Sequence, residues 1–301
     1  MKLLILPLLL SMFSCSGVSQ KPTHHSITLP AEPKVAFTVT DGILHPESAI
    51  YSVKHDAIFV SNIASGNPLE KNKVSYLSRL TADGKIIQSQ WVKDLKAPKG
   101  LAIVGDHLYV ADMDRILKID INHGKILKET PVPGAKFLND VVADAQGNIY
   151  VSDMFDNTIY LLNDKGLKPW KIGKELNSPN GLYTDGKEHL IVSSWGSDVD
   201  PKTFLAKIPG TVVSYSLNAS GKTATVPAMN GHFDGISADQ KGNLWVSDWI
   251  SGDIYEVSKS GKAQKRYNLG QGTADITVAK ELGLLLIPQM NQNKVIAIYL
   301  E

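Results

Sequence analysis

Residues 137–172 read FLNDVVADAQGNIYVSDMFDNTIYLLNDKGLKPWKI, four short runs separated by three turns. Val141 to Ala143, Ile149 to Val151, Thr158 to Leu162 and Pro169 to Ile172 are apolar or β-branched. DAQGN at 144–148, Ser152-Asp153 and NDKG at 163–166 break them. Gly and Asn supply the positive φ that tight turns need. The side-chain period is two, so the runs are strands rather than helices.

The same pattern recurs along the chain. FDGISADQKGNLWVSDWISGDIYEVSKSGKAQKRYNL spans 233–269, PNGLYTDGKEHLIVSSW starts at Pro179 and is followed later by GTVVSYSLNASGK, and PKGLAIVGDHLYVADMDRILKIDINHGK starts at Pro98. Weaker copies start at Pro46 (PESAIYSVKHDAIFVSN) and Ala274 (ADITVAKELGLLLIPQM). The residue before each first strand is Glu47, Lys99, Asn139, Asn180, Asp234 and Asp275. They recur at intervals of roughly 40 to 54 residues, the length of one four-stranded propeller blade. The expected fold is all-β, a six-bladed β-propeller over 34–301. Lys34–Val39 (KVAFTV) is a strand with no blade of its own, and residues 275–301 hold only three strands. The N-terminal strand is therefore expected to complete the last blade and cover its open edge.

Met1 to Phe13 is one Lys followed by an apolar run too short to span a bilayer, which reads as an export signal. Cys15, the single cysteine, follows in SMFSCSG. That segment resembles a bacterial lipobox, so residues 1–15 are read as signal and lipidation site, with ordinary cleavage beside a chance cysteine as the plainer alternative. The expected location is the bacterial periplasm or cell envelope, with membrane contact only through the lipid anchor. Residues 16–33 are polar and carry Pro22, Pro30 and Pro33, the composition of a flexible tether. His24-His25 within them is read as exposed rather than metal-binding. Net charge is +1, from 31 basic and 30 acidic residues without a basic run, which argues against nucleic acid as a partner.

In a propeller the residues before the innermost strands share one face near the axis, as do the loops after the second strands. Three acids (Glu47, Asp234, Asp275), two amides (Asn139, Asn180) and Lys99 are therefore expected on one ring. Converging carboxylates and amide oxygens suit a hard divalent cation. The plainer alternative for any one of them is a turn cap. Insertions at 64–72 (ASGNPLEKN) and 196–209 (GSDVDPKTFLAKIP) belong to opposite blades and are expected to wall the same face. Ile63, Met113, Met154 and Met290 at second-strand ends read as interblade packing, while Trp195 and Trp249 at the same position are candidate pocket walls. Asp112, Asp153 and Asp248 read as structural turn residues. His45 and His232, each two residues before an axial acid, are candidate pocket residues.

The chain resembles the regucalcin/gluconolactonase (senescence marker protein-like) family of six-bladed propellers, and more distantly the paraoxonase and strictosidine synthase-like proteins. The resemblance rests on PES, FLND, SPNG and FDG in the order of the repeats. It implies that Glu47, Asn139, Asn180 and Asp234 surround one divalent ion, calcium first, with zinc, magnesium or manganese as alternatives. It further implies hydrolysis of a lactone or other small ester, with Asp234 or a metal-bound water as general base and Asn139 binding the ion or orienting substrate. The family's sugar-acid-binding arginine has no counterpart in Ala135-Lys136-Phe137-Leu138. Lys99 is an unexpected cation on the ring and could pair with Asp234. The rival reading is a non-enzymatic secreted or surface-anchored propeller that binds a ligand or a partner protein.

Cys15→Ser is expected to move the protein from the membrane to the soluble fraction, because a lipoprotein's several acyl chains hold where one would not. A mutant that stays with the membrane, or a soluble wild type, counts against the anchor.

Overall fold

A computed structural model describes residues 32–200, 203–218, 221–225 and 229–300. The segment read as an export signal, Cys15, His24-His25 and most of the segment read as a tether lie outside the described residues. Within them, six four-stranded antiparallel sheets form, and the expected six-bladed propeller is the fold. The innermost strands are Pro46–Ser52, Pro98–Val104, Leu138–Ala143, Pro179–Thr184, Phe233–Ala238 and Thr277–Ala279. Alternation along each strand turns apolar side chains to both neighbouring blades. Phe59, Leu77, Leu101 and Val110 fill the seam between the first two blades, and equivalent clusters fill the others.

The innermost strands share an irregularity that positions the site. In five blades the ladder to the second strand is interrupted between Pro46 and Ala49, Pro98 and Leu101, Leu138 and Val141, Pro179 and Leu182, and Phe233 and Ile236. Glu47, Lys99, Asn139, Asn180 and Asp234 each fall inside an interruption. A second-strand serine takes over part of the missing pairing. Ser61, Ser152 and Ser247 Oγ accept hydrogen bonds from the backbone N–H of Ser48, Asp140 and Gly235 at 2.9, 2.9 and 2.8 Å. Two of the serines also reach across the seam, Ser152 Oγ donating to Asn180 O and Ser247 Oγ to Ala274 O, both at 2.7 Å.

The N-terminal strand, Val35–Val39, pairs antiparallel with Lys294–Tyr299. The pairing extends to Lys34, whose carbonyl accepts the Tyr299 N–H at 2.9 Å. Val39 is buried among Ile43, Ile58, Leu80, Leu284 and Val295, with Phe37 packed against the same cluster. The strand thus completes the last blade and seals its seam with the first. Burying a Val or Phe side chain contributes about 1.5–3 kcal/mol, and 1 kcal/mol corresponds to about 2–4 °C in a domain approaching this size. Deletion of residues 34–39 is therefore expected to lower the melting temperature by on the order of 10 °C and to promote aggregation through the open edge. Deletion of residues 21–25 should leave melting unchanged; equal melting of the two truncations would rule out the closure.

Candidate functional site

Glu47, Lys99, Asn139, Asn180 and Asp234 converge on the floor of an axial cavity of about 180 Å³. All five are at least 95% buried. Glu47 Oε2, Asn139 Oδ1 and Asn180 Oδ1 have no hydrogen-bond partner. Orphaned buried oxygens are costly in isolation and point to a missing donor or cation. Burial raises the Glu47 carboxyl well above the usual carboxylate range, with Asp234 and Asp275 adding to it and Lys99 opposing it. Asp234 is raised likewise, by burial and then by Asp275 and Asp248, while the Asn180 amide and Lys99 pull the other way. Lys99 is lowered to about 8 by burial, against the pull of Glu47, Asp112 and Asp234. Its Nζ donates to Ala97 O at 3.0 Å and to Met113 Sδ at 3.3 Å, and lies 4.3 Å from the Phe137 ring centroid. Among the described residues no three His, Cys, Asp or Glu side chains come together as a ligand set. A cation on this floor would thus need the two amide oxygens as well as the carboxylates, and that mixed all-oxygen set fits a hard divalent ion.

The walls are apolar. Ile63, Met154, Met290, Trp195 and Trp249 line the cavity, joined by Phe137. Five of the six second-strand-end residues thus face the pocket, and all six pack in one apolar cluster. Trp195 and Trp249 rings stand 6.0 Å apart. Both insertions reach the cavity, Gly66 and Pro68 from one and Phe204 from the other. The second insertion is a hairpin, Gly196–Val199 paired with Ala206–Pro209. Phe204 sits at its tip with φ 59°, an uncommon conformation for a bulky residue. Its carbonyl accepts the Trp195 Nε1–H at 2.8 Å, which fixes hairpin and indole together.

Three expected pocket residues lie elsewhere. His232 Nε2 accepts the Ala206 N–H at 3.0 Å, and its ring packs edge-on against Trp195 at 5.7 Å. It clamps the hairpin from behind rather than facing the cavity. His45 lies beneath the first insertion, where a Cβ on Gly66 would collide with its ring, and its N–H donates to Asn293 Oδ1 at 2.7 Å. Asp275 is one position out of register with the ring. Ala274 O accepts from Ser247, as Asn180 O accepts from Ser152, so Ala274 holds the axial place of the last blade. Asp275 instead corresponds to Asp140, and both line a second cavity of about 200 Å³ further along the channel. Asp140 Oδ1 and Oδ2 accept the N–H groups of Val141 and Leu182, each at 2.6 Å. Sequence reasoning missed Asp140, Phe137 and Phe204.

Asp112, Asp153 and Asp248 are structural, as expected. Asp153 accepts the N–H groups of Lys136 and Phe137 at 2.8 and 2.9 Å, Asp112 accepts those of Lys96 and Ala97, and Asp248 accepts that of His232. Each carboxylate pins the segment that delivers the axial residue of its own blade.

Fold and site together define a β-propeller with an oxygen-lined pocket assembled on its axis from several blades. The chain belongs to the SMP-30/gluconolactonase/LRE-like family, whose model matches residues 46–279. No curated protein matches the sequence. Among solved structures, a gluconolactonase from Xanthomonas campestris is similar at 15% identity over 91% of this chain and 97% of its own, with a TM-score of 0.66. Kuenenia stuttgartiensis hydrazine synthase is 15% identical over 87% of this chain and 97% of its own, with a TM-score of 0.61. A virginiamycin B lyase from Staphylococcus aureus is 15% identical over 88% and 98%, with a TM-score of 0.58. At these identities the likeness is one of fold.

Burial raises the Asp275 carboxyl to about 7. An unfolded Asp titrates near about 3.9. The folded state holds this proton more tightly, so the contribution to stability is full below about pH 4 and is lost as pH rises through about 7. In chelator, the melting temperature is expected to fall across this window, and Asp275→Asn should make the fall shallower. Identical slopes for mutant and wild type would contradict the buried proton.

Proposed function

We propose that this chain is a metal-dependent hydrolase of a lactone or another small ester. The observation that carries the reading is the trio of buried, unpartnered oxygens on Glu47, Asn139 and Asn180, beside the Asp234 carboxyl on the pocket floor. Membership of the SMP-30/gluconolactonase/LRE-like family supports it. Glu47, Asn139, Asn180 and Asp234 would hold the ion, and an all-oxygen set favours calcium over zinc. When bound, the ion supplies Lewis acidity toward a carbonyl oxygen.

The chain's own residues supply the rest. Asp234, whose carboxyl lies on the pocket floor beside the trio of open oxygens, would serve as the general base. It takes a proton from water as the water oxygen bonds to the carbonyl carbon. The acyl C–O bond then breaks and the proton passes to the leaving oxygen. An ester yields an acid and an alcohol; a lactone yields one hydroxy acid. The aromatic walls keep bulk water from the floor, which strengthens the electrostatics there.

One observation favours a non-enzymatic binding propeller. The buried Lys99 ammonium already offsets part of the ring's negative charge, so the floor has a source of charge balance without an ion.

Metal loading separates the two. A ligand that binds only the folded state stabilises it by about 2.7 kcal/mol at 100 times its dissociation constant. Calcium is expected to raise the melting temperature and chelator to lower it. Asp234→Ala should abolish this response together with any lactonase or esterase activity, and Asp275→Ala should keep the calcium response. Identical melting in calcium and chelator, with no metal in the purified protein, would leave the binding propeller as the better account.

A further inference from the structure

Resting on the hydrolase reading, we propose that the substrate's body is a compact apolar group, a single ring or short alkyl chain, and not a polyhydroxylated sugar. Above the floor, the cavity is walled by Ile63, Phe137, Met154, Trp195, Phe204 and Met290. Two of the few polar groups near these walls are already engaged. Trp195 Nε1 is bonded to the Phe204 carbonyl, and the Asn291 amide donates to Gln271 O at 3.2 Å. Lys136, the cation beside Phe137, pairs with Asp156 at 2.6 Å and is absent from the cavity lining. The hydroxyls of a sugar that face these apolar walls would lose water without gaining partners, a cost of roughly 1–3 kcal/mol for each buried group.

A compact apolar group also fits the space. A cavity of about 150 Å³ lined by Leu, Ile and Phe holds benzene, and this one measures about 180 Å³. The charged groups, Glu47, Lys99 and Asp234, are confined to one end, so a bound ester would lie with its carbonyl on the floor and its apolar part between the aromatic walls. Phe204, fixed to Trp195 through its own carbonyl, would bear on that part directly.

The full chain in calcium is assayed by pH-stat against phenyl acetate, γ-nonanolactone and D-glucono-1,5-lactone. The apolar substrates are expected to show kcat/KM at least tenfold above the sugar lactone. Phe204→Ser is expected to raise KM for the apolar substrates by about tenfold or more, with a smaller effect on the sugar lactone. The backbone bond to Trp195 does not depend on the Phe204 side chain, so the hairpin should survive this change. A sugar lactone cleaved as well as or better than the apolar substrates overturns the proposal. Tryptophan fluorescence is titrated in parallel with butyrophenone, a ketone that cannot be hydrolysed, and with sorbitol. If no substrate is cleaved, the hydrolase reading fails by itself. Saturable quenching by butyrophenone but not sorbitol would still support an apolar ligand, and its absence overturns the proposal.

Discussion

Near the propeller axis the innermost strands approach so closely that neighbouring backbones touch. A Cβ on Gly100 would strike the Asp140 main chain, one on Gly181 the Asp234 carbonyl, and one on Gly235 the backbone at Ile276. The rest of the site follows from this crowding. The ladder to the second strand gives way for two residues in five blades. One of the two is small or folded back onto backbone N–H groups, and the other is turned toward the axis. Serines on second strands restore some of the lost hydrogen bonds and tie the third, fourth and fifth blades each to the next. The polar ring is thus a consequence of how six sheets meet at a point.

That geometry concentrates charge where water is excluded. Glu47 and Asp234 on the ring and Asp140 and Asp275 below it are four buried carboxyls whose proton affinities are all raised, burial being the largest cause in each. Lys99 is the cation buried with them. Such a cluster persists only if protons, a cation or directed hydrogen bonds compensate it. Asp140 is compensated by two backbone N–H groups, whereas the ring keeps open oxygens. This difference separates a structural carboxyl from one available for chemistry.

The upper rim is built on different terms. Its residues come from loops and strand ends braced by the rigid ring. His232 holds the hairpin, the hairpin holds Trp195, and Asp248 holds His232. Similar folds occur in a gluconolactonase, a virginiamycin B lyase and a hydrazine synthase, so the scaffold leaves the chemistry open. In this chain the axis carries an oxygen-lined floor beneath an apolar chamber.

The sequence by itself determined the blade count, the closing strand and most of the floor. Strand period, turn chemistry and repeat spacing are local properties, and ring closure then places equivalent positions together. It also contained the correct register of the last blade. Aligned on their strands, Asp275-Ile276-Thr277, Asp140-Val141-Val142 and Gly235-Ile236-Ser237 correspond, which puts Ala274 on the ring and couples Asp275 to Asp140. Tertiary structure alone decided which way His45 and His232 face, because loop packing follows no period. It alone added Phe137 and Phe204 to the two tryptophans expected in the pocket wall. It alone left three oxygens without partners, because whether a buried polar atom is satisfied depends on neighbours that are distant in the chain and adjacent only after the ring has closed.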